Sequence, residues 1–224
     1  MLLVYTRFFN SKHMKLFRLT FLILLMPLST KAQTSPTQDM QYDPENALYW
    51  KISNDSENLY IKLYKDEYAQ KIGQPGGVWF FFNPKGEKDT VAVPTLQYPI
   101  YKRPMNLEVM AVYHFKDIPD GEQPKYNPFG ILPEGILKER EDVSIWSKNH
   151  TIYSASITVP LHYIRTTDSK LAIQILLKGR RKVPLPPGAV SPILISTSTA
   201  SKEVDDMLYA TDIWTHCWID YEII

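Results

Sequence analysis

From residue 47 onward, apolar and polar residues alternate with a period of two instead of the 3.6 of a helix, which places successive side chains on opposite faces of a strand. Residues 47–53 and 59–65 alternate on either side of Asn54-Asp55-Ser56-Glu57-Asn58, a stretch of turn formers, and so predict a β-hairpin. In its second arm Leu59, Ile61 and Leu63 share one face, with Tyr60, Lys62 and Tyr64 on the other. Residues 78–82 are a continuous apolar run closed by Asn83-Pro84-Lys85-Gly86, the pattern of a central strand covered on both sides. Residues 107–115 alternate again. Residues 143–146 and 152–159 flank Ser147-Lys148-Asn149-His150 and predict a second hairpin, followed after Pro160 by one helical turn over 161–165. Residues 170–178 set Leu171, Ile173, Ile175 and Leu177 inward. In the closing stretch, 212–224, Ile213, Thr215, Cys217, Ile219, Tyr221 and Ile223 fall on one face, and Trp214, His216, Trp218, Asp220 and Glu222 on the other.

Between these strands, residues 117–130 hold Pro119, Pro124, Pro128 and two glycines and predict a long loop or an edge excursion. Arg180-Arg181-Lys182 reads as a solvated charge run, and Pro184, Pro186 and Pro187 stop any regular ladder. No segment sustains a helical period and no internal repeat is present. The expectation is an all-β fold: a single-domain antiparallel β-sandwich over residues 42–224, jelly-roll or immunoglobulin-like in arrangement.

The first residues follow a different pattern. In 14–32, Lys15 and Arg18 precede an apolar core over 19–28, and Thr30, Lys31 and Ala32 offer small residues before a cut. This is the pattern of a secretory signal peptide covering 1–32, with Met14 as an alternative start and 33–41 as a flexible leader. The apolar core is too short to span a bilayer, and the lone cysteine, Cys217, is far from the cut, so neither membrane insertion nor a lipid anchor is expected after cleavage. Removal of 1–32 takes away Arg7, Lys12, Lys15, Arg18 and Lys31 and no acidic residue, changing the formal charge from +1 to −4. A mildly acidic domain carries no electrostatic footprint for nucleic acid. The expected location is the periplasm or the outer surface.

Several of these segments resemble a known family. Tyr49-Trp50-Lys51-Ile52-Ser53-Asn54-Asp55, Asn58-Leu59-Tyr60-Ile61-Lys62-Leu63, Lys71-Ile72, Gly77-Val78-Trp79-Phe80-Phe81-Phe82 and Pro84-Lys85-Gly86 resemble exported bacterial sandwiches similar to family 9 carbohydrate-binding modules and the wider DOMON-like fold. Ile157-Thr158-Val159-Pro160-Leu161 and the aromatic closing strand are similar to that group's later strands. The resemblance implies a non-catalytic sandwich that binds sugars, or in some members haem; no sugar-binding residue motif transfers position by position.

Sugar recognition requires flat aromatic faces for the apolar faces of the rings and polar side chains for the hydroxyls. Trp214, His216 and Trp218, followed by Asp220 and Glu222, supply both along one strand face; Trp50 and Trp79, with Trp146, Tyr60 and Tyr64, form a second pool. Core packing is the favoured reading of the same residues, because one sheet face must be buried and tryptophans do much of the burying, and the polar His216, Asp220 and Glu222 keep the sugar platform open. Asn54, Asp55 and Asn58, or Asp117 and Asp120, could offer oxygen ligands to calcium, although turns select the same residues. Met105, Met110, His114 and His162 are the available haem ligands, with no spacing that selects a pair. The histidines His114, His150, His162 and His216 are too scattered to predict a transition-metal site. Cys217 reads as a buried, inert thiol facing away from His216. No Gly-x-Ser-x-Gly elbow is present, and the carboxylates Glu134, Glu139 and Glu141 read as solvated surface. The functional order is therefore a non-catalytic carbohydrate-binding domain, then an envelope interaction or scaffold domain contacting another protein through 117–130 or an edge strand, then a glycan-active enzyme.

Overall fold

A computed structural model describes residues 35–73, 76–101, 106–145, 147–164, 169–178 and 214–224. The signal peptide expected over 1–32, the charge run at 180–182, the prolines at 184–187, Met105 and Trp146 lie outside the described residues. Eleven strands are described: β1 (Gln41–Asp43), β2 (Leu48–Asn54), β3 (Asn58–Lys65), β4 (Val78–Asn83), β5 (Thr95–Gln97), β6 (Val109–Tyr113), β7 (Gly121–Pro124), β8 (Leu132–Glu139), β9 (Thr151–Pro160), β10 (Lys170–Lys178) and β11 (Trp214–Glu222). They form two antiparallel sheets, one of five strands in the order β1-β2-β3-β9-β8 and one of six in the order β11-β10-β4-β5-β6-β7. The fold is an all-β sandwich.

Period-two patterning accounts for how the sheets meet. On the inner face of the five-stranded sheet, Leu59, Ile61 and Leu63 of β3 lie beside Val159, Ile157 and Ala155 of β9, all buried. On the inner face of the six-stranded sheet, one register row runs Cys217, Ile175, Phe80, Leu96 and Val112. These rows merge into one hydrophobic core, and burial at this scale is the dominant favourable contribution to folding. The inner face of β3 ends on Lys65, which is fully buried; its ammonium donates to the carbonyls of Asn46 and Ala47. Asn46 in turn accepts from Thr215 of β11 and donates to Asp43, so a buried polar cluster joins the two sheets where the core gives out.

The first hairpin, the central position of β4, the inward face of β10, the faces of β11 and a 3₁₀ turn at Leu161–Tyr163 agree with the sequence expectations. Within 117–130, β7 pairs with β6 as an edge excursion. The second hairpin differs: the strand beside β9 is β8, Leu132–Glu139, and 143–145 are irregular. Pro133, Gly135 and the charged tail of β8 disguise it, because an edge strand exposed on its outer face needs little apolar patterning. Gly135 has a packing reason. A Cβ there would lie 2.8 Å from the ring of Tyr98, which crosses the end of the core and donates to the Leu107 carbonyl. Of the leader, the described part turns at Thr37–Met40, and Asp39 pairs with Lys51 of β2.

Candidate functional site

The outer face of the six-stranded sheet gathers most of the aromatic candidates. Residues that alternate with the core on β11, β10, β4, β5 and β6 align in two rows: Trp218, Gln174, Phe81, Thr95 and Tyr113, and beside it His216, Leu176, Trp79, Gln97 and Ala111. Trp79 lies near-parallel to both neighbours, at 14° to Phe81 with centroids 6.3 Å apart and at 17° to Tyr113 with centroids 6.0 Å apart. All three rings are half-buried. A sheet face packed as core would hide them; here they remain open to solvent on one side.

Trp214 extends this face at its upper end and is 41% exposed. Its indole rests on Gly76, where a Cβ would approach the ring to 2.2 Å. Gly76 has φ of +129°, a backbone conformation that a side chain would resist, so its glycine fits both the turn and the ring. The Gln97 amide donates to the Gly76 carbonyl at 2.9 Å and ties that turn to β5, while the Lys178 ammonium lies 5.9 Å from the Trp214 ring, within cation–π range. His216 is exposed between Trp214 and Trp218. The face thus offers aromatic surfaces bordered by the His216 imidazole, the Gln97 amide and the Lys178 ammonium, and the exposed carboxylates of Asp220 and Glu222 continue it along β11.

The remaining candidates fall elsewhere. Trp50 sits on the inner face of β2, partly buried and packed against the core, apart from Trp79, Trp214 and Trp218. Cys217 faces inward, opposite His216 as the alternation predicts, and burial, with a smaller contribution from Asp43, pushes its thiol up to about 12. At the Asn54–Asn58 turn, Asp55 accepts from the backbone N–H groups of Glu57 and Asn58 and from the Tyr60 hydroxyl; the Tyr60 bond, first, and then those N–H groups lower its pKa. Asn54 is engaged by Tyr221 and by the backbone of Ile224. Asp55 thus braces the turn and Asn54 ties it to the closing strand, and among the described residues no group of three or more His, Cys, Asp or Glu side chains could hold a metal. Asp117 and Asp120 are both exposed; Asp120 accepts from the His114 backbone N–H. Met110 is sealed in the core, whereas His114 and His162 are exposed. Glu134 and Glu139 occupy opposite faces of β8.

The outer face of the five-stranded sheet carries Tyr64, one of the second pool of aromatic candidates, among neighbours that sequence reasoning did not join to it. Tyr42, Tyr49 and Tyr64 form a ladder with centroids 4.6 and 6.0 Å apart. Next to it a groove of about 460 Å³ is lined by Tyr64, Lys62, Glu134, Ile136, Ser154 and Ser156, among others. The alternation in β3 and β9 would have placed these residues together, had β8 been recognised as the neighbour of β9.

No helix among the described residues is long and apolar enough to cross a membrane. No family model, curated protein or solved structure matches the chain.

Proposed function

We propose that the chain is an exported, non-catalytic carbohydrate-binding domain that engages a glycan on the outer face of its six-stranded sheet. The observation that carries this reading is the near-parallel, half-exposed set of Trp79, Phe81 and Tyr113 on the same face as Trp214, His216 and Trp218. Aromatic faces bind the C–H surfaces of pyranose rings by dispersion and by desolvation, and amide and imidazole groups at their borders satisfy hydroxyls. Gln97 and His216 occupy those border positions. An open, shallow face suits an extended polysaccharide more than a small sugar, which needs enclosure to bury most of its surface. The signal-like residues 1–32 and the resemblance to family 9 carbohydrate-binding modules and DOMON-like domains support the same reading and suggest a periplasmic or outer-surface setting.

The test is a titration of the purified protein against a panel of polysaccharides, followed by tryptophan fluorescence. Saturable quenching by at least one polysaccharide is expected, with affinity reduced at least tenfold in Trp214→Ala and in Trp79→Ala. A response that is flat across the panel, or one that both variants retain in full, contradicts the proposal and favours a protein partner.

A further inference from the structure

A β-sandwich with two open sheets has four edge strands, and exposed edges invite pairing with another chain unless they are blunted. Among the described residues, three of the four are blunted. β1 is three residues long and β7 four, with Gly121 and Pro124 at its ends. β8 has eight residues, but its register with β9 continues to the Arg140–His150 hydrogen bond, so the even-numbered residues face β9 and the odd-numbered ones face the open side. Pro133 therefore has no N–H to offer there, and Gly135 lies against Tyr98.

β11 is the exception. It runs for nine residues, Trp-Thr-His-Cys-Trp-Ile-Asp-Tyr-Glu, with no proline, glycine or lysine, and among the described residues no strand pairs with it on the side away from β10. The Ile223 N–H bonds to Ser169 in the same register as the rest of the β10–β11 pair. Odd-numbered residues of β11 thus bond to β10, and Trp214, His216, Trp218, Asp220 and Glu222 turn their N–H and C=O groups to the open edge.

The side chains of those residues are arranged head to tail. The first half of the strand carries donors, the indole of Trp214 and the imidazole of His216; the second half carries acceptors, the carboxylates of Asp220 and Glu222. Antiparallel pairing with an identical strand, centred on Trp218, places Trp214 opposite Glu222 and His216 opposite Asp220, twice over by symmetry. It also satisfies each open-edge backbone group. The Lys88–Asp220 ion pair, at 3.1 Å between two exposed side chains, is the weak surface kind that such an exchange can replace.

We infer that β11 pairs antiparallel with β11 of a second copy of this chain about a two-fold axis at Trp218, forming a symmetric dimer with one continuous twelve-stranded sheet. Its partner is fixed by self-complementarity, as an isologous two-fold contact demands. The two outer faces, each with its Trp79–Phe81–Tyr113 set, then become neighbours on one surface.

Sedimentation of the purified protein at tens of micromolar tests this without any ligand, so its outcome is independent of the glycan proposal. A dimer mass is expected. His216→Asp sets like charges opposite Asp220 and should weaken the dimer at least tenfold, and the exchange variant His216→Asp/Asp220→His should restore it. Near-native circular dichroism separates loss of pairing from loss of fold. A wild-type monomer overturns the inference, as does a dimer that His216→Asp leaves intact.

Discussion

Two side chains, the buried Tyr98 and the partly buried Cys217, make the core sensitive to alkali. Burial raises the Cys217 thiol from 9.0 to about 12, and burial, with smaller contributions from Glu108 and Glu134, raises the Tyr98 phenol from 10.0 to about 12. Both groups are essentially neutral in the folded and unfolded chain below about pH 8, a unit under the ordinary thiol value, so their contribution to stability is fully present there. As pH rises towards 12, the unfolded chain releases these protons first and stability falls, by up to about 1.4 kcal/mol per pH unit for each group. Urea unfolding followed from pH 8 to 11 should show that decline, and Cys217→Ser should flatten its lower part. The inward orientation of Cys217 was legible from alternation alone, because His216 and Cys217 must face opposite ways in a strand. The burial of Lys65 was not: a lysine continuing an inward apolar face looks like the end of a strand until the carbonyls of Asn46 and Ala47 are seen around its ammonium.

At the scale of elements, strands with a strong period were readable and weakly patterned edges were not. β3, β4 and β10 lie where their apolar patterning places them, because each buries one full face, and β2 and β11 lie where alternation places them with inner faces that are only partly buried. β5 is three residues long, too short to show a period, and β8 is patterned by Tyr98 as much as by the core. That last dependence is testable. Gly135→Ala pushes a methyl group against the Tyr98 ring and should cost about 1–3 kcal/mol in a thermal melt, whereas Gly121→Ala, with nothing near its Cβ direction, meets only the backbone strain of its positive φ. A melt in which Gly135→Ala is neutral would remove the role given to Tyr98.

For the whole molecule, the sandwich divides the aromatic residues by face. Trp50 packs against the core, the Tyr42–Tyr49–Tyr64 ladder lies on one outer surface, and Trp79, Phe81, Tyr113, Trp214 and Trp218 lie on the other. The sequence could pair Trp214 with Trp218, which are four apart on one strand, but could not join them to Trp79 and Tyr113, because that juxtaposition depends on strand order across the sheet. Oxidative footprinting of the protein with and without the panel polysaccharides, read residue by residue by mass spectrometry, tests the central claim most directly. Protection of Trp79, Trp214 and Trp218, with Trp50 and Tyr64 unchanged, is the predicted result. Protection confined to Tyr42, Tyr49 and Tyr64, or no protection by any polysaccharide, would contradict it.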